Sequence, residues 1–231
     1  MNSIDEWSLE FDLRYDNITS NQAPGLNEYE KSVFLTRAEE AVVVGLYNGS
    51  LGRSFEETEE LVSYLDPLVS QADCDAASGD VHHIISGSYV YELPEDLLFR
   101  TYEKCSINTG NCGIVDAIVI PVTQDEFWRT NRNPFKGPNT RKVLRLSYAD
   151  SSVTSTETSV TKYSELVSKY PISSYTVRYL RRPEPIILAD LADGLTINGQ
   201  SNARTCELDR HLHDAILNEA VRMAKAVWES R

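Results

Sequence analysis

"SSYTVRYLRRPEPIILADL", residues 173–191, changes character half-way along its length. As far as Leu180 it alternates, with Tyr175, Val177 and Tyr179 on one side of an extended chain, because successive strand side chains point to opposite faces. Pro183 and Pro185 then stop the alternation. A proline has no backbone N–H to give a neighbouring strand, so the chain must leave the sheet there, and Ile186 to Leu188 begin a new short element.

The same period of two runs through "SGSYVYEL" at 86–93 and "RKVLRLSYAD" at 141–150. "GIVDAIVIPV" at 113–122 is nearly continuous in apolar residues and predicts a strand covered on both sides. From about Val81 onward five or six strands are expected, separated by turns rather than by repeated helices, which makes the sheet mainly antiparallel. "DSSVTSTETSVTK" at 150–162 fits either a hairpin arm or a loop.

Residues 1–80 read as helices. Ser3 with Glu6, Asn27 with Glu30 and Ser54 with Glu57 each pair a capping side chain with a glutamate three residues on. Apolar residues at helical spacing follow each cap. They are Ile4, Trp7, Phe11, Tyr15 and Ile18 in the first helix, and Phe34, Ala38, Ala41, Val42, Gly45 and Leu46 in the second. The third carries Leu61, Val62, Leu65, Leu68 and Val69 and ends or kinks near Asp66-Pro67. At the other end of the chain, Leu208, Leu212, Ile216, Ala220, Met223 and Val227 form one stripe, with Leu217, Val221, Ala224 and Trp228 beside it. That arc is wider than a helix lying on one surface needs, and a neighbouring subunit is a candidate cover for Leu217, Val221 and Trp228. The expected fold class is α+β. Acidic N-terminal helices (1–80) precede a β-rich domain (81–231) with an extended basic loop, closed by a long C-terminal amphipathic helix that packs back on the core. The two parts are expected to form one integrated unit.

The net charge of −13 sits wholly in the first third: residues 1–80 carry 17 acids against 4 bases, and residues 81–231 carry 18 of each. Such a field repels nucleic acid. Against it stands one basic run, in which Arg129, Arg132, Lys136, Arg141, Lys142 and Arg145 are grouped without an intervening acid, with Phe127, Trp128 and Phe135 among them. Three readings are open, the plainest being an ordinary solvated hairpin. A nucleic-acid-binding module would use segment 127–145 for charge and base stacking. Alternatively, copies in a ring would meet head to tail, the basic tip of one against the acidic helices of the next. Arg181 and Arg182, displayed at the proline corner, are further candidate contacts.

"CELDRHLHD" at 206–214 gathers a thiol, carboxylates and two imidazoles. His211 and His213 would lie about 200° apart on a helix and cannot chelate one ion together. Glu207 with His211 and Asp209 with His213 have the spacing of helical acid–imidazole pairs, so the stretch predicts a helix start rather than a metal site. No metal ligand, cofactor or catalytic residue is assigned. GxSxG, HExxH, Walker-type and dinucleotide motifs are absent from the sequence, and an enzyme is not expected. Cys74, Cys105, Cys112 and Cys206 lack CxxC spacing and read as free thiols. The start at Asp5, Glu6 and Trp7 is unlike a secretory signal, and the run at 113–122 is about half a membrane span, so synthesis in a cytoplasm without a membrane partner is expected.

Several long motifs occur together: "FDLRYDNITSNQAPGLNEYEKSVFLTRAEE" at 11–40, "ELPEDLLF" at 92–99, "PVTQDEFWRTNRNPFKGPNTRKVLRL" at 121–146, the proline corner, and "CELDRHLHDAILNEAVRMA" at 206–224. In order and spacing, over nearly the whole chain, they resemble a virion structural family of crAss-like bacteriophages of gut Bacteroidetes. The resemblance implies a neck or ring protein of the head-to-tail connector. It would be a homo-oligomeric ring, dodecameric to match the portal, with the portal or adjacent tail ring proteins as neighbours. Double-stranded DNA would pass through without specific binding. The resemblance implies a place in the virion after assembly in the host cytoplasm, and no catalytic residues.

Overall fold

The computed structural model describes residues 3–18, 25–49, 63–77, 83, 85–110, 113–153, 158–192 and 194–229. The third expected helix, with its cap at Ser54, lies outside the described residues except for residues 63–65, which are helical and run into a 3₁₀ turn at Asp66–Leu68. The fold is α+β, and the chain divides into two compact units: Val69–Arg181, and Met1–Leu68 together with Arg182–Arg231. Residues 182–231, which sequence pattern joined to the β-rich part, thus belong with the N-terminal helices. The physical reason is the proline corner, which takes the chain out of the sheet at Arg182.

In the first unit seven described strands form one sheet: β1 (Val69–Cys74), β2 (Tyr89–Glu92), β3 (Leu97–Asn108), β4 (Ile114–Pro121), β5 (Lys142–Val153), β6 (Thr158–Val167) and β7 (Ile172–Arg181). Their order is β1-β7-β3-β4-β5-β6-β2. The sheet begins at Val69, earlier than expected, because the inward residues Ala72 and Cys74 of β1 are small and give little apolar signal. Its two edges also meet. Ala76 bridges Tyr91, the Ala77 N–H donates to the Val90 carbonyl at 2.8 Å, and the sheet curls round on itself.

The β4–β5 pair is parallel and the other pairs are antiparallel. A parallel pair needs a crossover, since a tight turn cannot return the chain to the same end. Helix α3 (Gln124–Arg132) provides it where an extended loop was expected. β4 is also not covered on both faces: Ala117 and Val119 are buried, whereas Ile114 and Ile118 point outward and are exposed. The Ser/Thr-rich segment is a hairpin arm, β5 pairing with β6 as far as Val153 opposite Thr158.

Inside the curl, Ile107, Val119, Val143, Leu166, Tyr175 and Val177 belong to the main apolar cluster. Charged groups lie beside them. Glu103 receives Arg145 Nε at 3.2 Å and Arg100 Nε at 3.8 Å, and the Tyr175 hydroxyl donates to it. Arg145 also donates to Ser147 at 2.9 Å, and Arg100 to Ser164 at 3.3 Å. Two guanidinium groups share one carboxylate, and burial, followed by the nearby Arg145 charge, pulls Arg100 below the ordinary arginine value.

The long described helices of the second unit are α1 (Ile4–Ile18), α2 (Glu28–Tyr47) and α4 (Arg210–Glu229). Both expected caps are present at α1 and α2. Glu6 N–H donates to Ser3 Oγ at 3.3 Å, and Asn27 and Glu30 exchange bonds of 2.8 and 2.9 Å. Trp7, Phe11 and Tyr15 are buried in one stripe, as their spacing predicts. Lys31 of α2 is buried, and its ammonium reaches Asp12 of α1 at 2.7 Å, Glu28 at 3.1 Å and Ser8 Oγ at 3.1 Å. Burial opposes that charge, but the bonds to Asp12 and Glu28 outweigh it and hold Lys31 above its usual value. From α1, Arg14 reaches Asp214 of α4 at 2.6 Å.

The buried face of α2 differs from the expected stripe, because it includes Ser32, Thr36 and Glu39 along with Leu35, Ala38 and Leu46. These polar side chains have work there. The segment after the prolines, buried at Ile186, Ile187 and Leu188, lies on α2: Leu188 N–H donates to Ser32 Oγ at 2.9 Å, and Thr36 Oγ donates to the Ile186 carbonyl at 3.3 Å. Ile187 exchanges backbone bonds of 2.9 and 2.8 Å with Arg204. Glu39 accepts from the Cys206 thiol at 3.1 Å.

α4 starts at Arg210, later than "CELDRHLHD" suggests. Asp209 caps it by accepting from His211 N–H at 2.9 Å, and Glu207, outside the helix, instead accepts from Glu184 N–H at 3.0 Å. The Glu207–His211 helical pair is therefore not made as a pair within one helix. His213 is buried against the Trp7 ring, 4.9 Å between centroids, with Nε2 3.1 Å from the Leu208 carbonyl.

Two consequences can be measured. Burial holds His213 below its ordinary 6.5, so below that pH the unfolded chain takes a proton that the folded chain refuses. The stabilising effect of the neutral ring is complete above 6.5 and is lost as pH falls from 6.5 to the lower folded value. Urea midpoints should drop between about pH 7.5 and 5.5, and by less in His213→Gln. At the charged cluster, Glu103→Gln leaves two arginines without their shared carboxylate. A loss of about 3–5 kcal/mol in urea unfolding is expected.

Candidate functional site

The basic segment is a helix followed by a fixed turn. Thr123 is extended at the N-cap of α3, Asp125 and Glu126 occupy its first turn, and Arg129 and Arg132 its last, the arrangement that suits a helix dipole. That signal is present in the sequence. Beyond the helix, Asn133 Oδ1 accepts from Phe135 N–H at 2.9 Å and Lys136 N–H at 3.3 Å, and its carbonyl accepts from Gly137 N–H at 2.7 Å. A Cβ on Gly137 would lie 2.8 Å from the Asn131 carbonyl and 2.9 Å from that of Asn133, so the close turn requires glycine.

This frame divides the three aromatics. Phe127 is 2% exposed and packs with Leu144 and Leu146, so it anchors α3 to the sheet and is withdrawn from any stacking surface. Trp128 is 59% and Phe135 86% exposed. The Arg132 guanidinium lies 5.9 Å over the Trp128 ring, and Arg129 donates to Glu126 at 3.0 Å. Lys136 and Arg141 are exposed and Lys142 is half-buried at the start of β5. Arg145 leaves the basic set, since it turns inward to Glu103.

The other expected contacts separate as well. Arg181 is half-buried at the end of β7, opposite Leu97. Arg182 is exposed, 3.5 Å from Glu40 of α2. Leu217 and Val221 are buried in the chain's own fold, so these two are covered without a neighbour. The side chain of Trp228, within α4, lies outside the described residues.

A surface that sequence reasoning missed lies on the helical unit. A groove of about 420 Å³ runs between α1, α2 and the end of α4, walled by Tyr15, Tyr29, Val33, Phe34 and Val227. Phe34 was assigned to the buried stripe of α2, but it is half-buried and lines this groove. Burial, then the charges of Asp16 and Glu30, push the Tyr15 hydroxyl above its usual value.

The chemistry of the described thiols is subdued. Burial pushes Cys74 up to about 11 and Cys105 to about 12, and raises Cys206 further, so all three are protonated and weakly nucleophilic at neutral pH. Among the described residues, no group of three His, Cys, Asp or Glu side chains is placed to hold a metal ion. No described helix is long and apolar enough to cross a membrane.

What the surfaces share is exposed apolar and charged area. The family model for phage tail ring protein 3/4 matches residues 1–230. The chain belongs to this family. It is 40% identical over 205 residues to Ring protein 3 of Bacteroides phage crAss001, covering 86% of this chain and 84% of that protein. Ring protein 4/5 of the same phage is 33% identical over 234 residues, covering 98% of this chain and 94% of the relative. The ring protein family is a virion structural one and not an enzyme class, in agreement with the crAss-like resemblance of the motifs.

Within this ring protein the two phenylalanines of the basic segment should behave oppositely. Phe127→Ala opens a cavity under α3 and should cost about 3–5 kcal/mol in thermal or urea unfolding. Phe135→Ala should change stability by less than about 0.5 kcal/mol.

Proposed function

We propose that this chain forms a closed homo-oligomeric ring in the head-to-tail connector, stacked on the portal or on an adjacent tail ring, and that the genome passes through it. The observation that carries the reading is the turn at 133–137, where a fixed backbone holds Phe135 and Lys136 out in solvent beside Trp128 and Arg132. A rigid aromatic-and-cation tip is the composition of interface anchors. Membership of a ring protein family supplies the kind of assembly. The ring takes the portal's symmetry and is dodecameric.

The acidic helices fit passage of DNA. α1 carries Asp5, Glu6, Glu10, Asp12 and Asp16 against Arg14, and such a surface repels the phosphate backbone. Nucleic-acid binding by segment 127–145 has weaker support, because Phe127 is buried, Arg145 faces inward and Arg129 is paired with Glu126. Trp128, Arg132, Phe135, Lys136, Arg141 and Arg182 are the contacts this reading retains. Electron microscopy of the purified chain, alone and with its portal, should show closed twelve-copy rings in at least the second sample. Monodisperse monomers in both would remove the connector reading.

A further inference from the structure

A closed ring of more than two identical copies needs a head-to-tail contact, so each copy must carry two different patches that fit one another. Resting on the ring reading above, we infer that the groove between α1, α2 and α4 is the seat of the Phe135 tip of the next copy. The two surfaces are complementary in kind, an exposed ring with cations on one and an apolar groove in the acid-rich N-terminal part of the chain on the other. The tip presents a phenyl ring 86% exposed, with Lys136 beside it and Arg132 on the neighbouring turn. The groove, about 420 Å³, offers aromatic and aliphatic walls at Tyr29, Val33 and Phe34.

Glu30 places a carboxylate on the groove wall, and Asp16, next to Tyr15 in sequence, is exposed. Arg37 also lines the groove, so Lys136 of the incoming tip would turn toward Glu30 and Asp16 and away from Arg37. An aromatic ring entering such a walled groove is desolvated on the faces the walls cover, and buried aromatic anchors of this kind carry much of a binding energy. A nucleic-acid base would fill the same space, but its phosphates would face Asp16 and Glu30.

The test uses the full chain. A photo-reactive phenylalanine analogue is placed at position 135, and isotope-labelled and unlabelled copies are mixed before irradiation. Cross-links joining labelled to unlabelled peptides, with residues 29–37 as the target, are the expected result. In parallel, Phe135→Ala should weaken oligomerisation by at least about tenfold in sedimentation velocity, with an unchanged melting temperature. Val33→Lys, which places a cation in the groove wall, should do the same.

Cross-links confined to single copies, or directed elsewhere, would overturn the inference even if rings form. So would Phe135→Ala rings of undiminished strength, and in either case the ring reading itself stands. Unmodified chains that stay monomeric with and without the portal would remove both.

Discussion

Two hydroxyl groups on α2 receive a segment that two prolines have expelled from the sheet. Ser32 accepts from the Leu188 N–H and Thr36 donates to the Ile186 carbonyl, in a place where Ile186, Ile187 and Leu188 are buried. Buried backbone groups must find partners, and an apolar helix face has none to give. The polar residues on the buried side of α2 are what allow residues 182–231 to join the N-terminal helices. The same part of the chain places Asp214 against Arg14 and His213 beside Trp7.

In the sheet unit the corresponding constraint is the parallel pair β4–β5. It demands a crossover, and α3 serves by burying Phe127 against Leu144 and Leu146. Once that ring is fixed, the remainder of the segment is free to face outward. The Asn133 turn and the crowded site at Gly137 then set Phe135 and Lys136 in one position. A presented tip of this kind loses little conformational freedom on binding. The outward Ile114 and Ile118 of β4 are a further exposed apolar area on the same unit.

The charged interior behaves differently from these surfaces. Arg100, Arg145 and Glu103 are held by one another and by Ser147, Ser164 and Tyr175. Truncating one partner of such a cluster is costly because it leaves charge in a poorly solvated place. The cluster therefore bears on stability, whereas the proposal for assembly rests on Trp128, Arg132, Phe135 and Lys136.

The sequence by itself determined the local elements. The caps at Ser3 and Asn27, the stripe of Trp7, Phe11 and Tyr15, the alternation around Tyr175 and the exit at Pro183 were legible because each depends on neighbours in the chain. The long motifs at 11–40, 92–99 and 121–146 likewise pointed to a phage ring protein, which the family match bears out. The helix α3 was present as an acid-first, base-last pattern, obscured by the basic and aromatic residues that invited another reading. Tertiary structure alone decided which of equally suitable residues face inward. Leu217 and Val221 look like Phe34 in periodicity, yet the first two are covered by their own unit while Phe34 lines a groove. Arg145 continues the basic run in sequence but turns to Glu103, from a distant strand. Burial and pairing of this kind depend on residues far apart in the chain, and local periodicity carries no record of them.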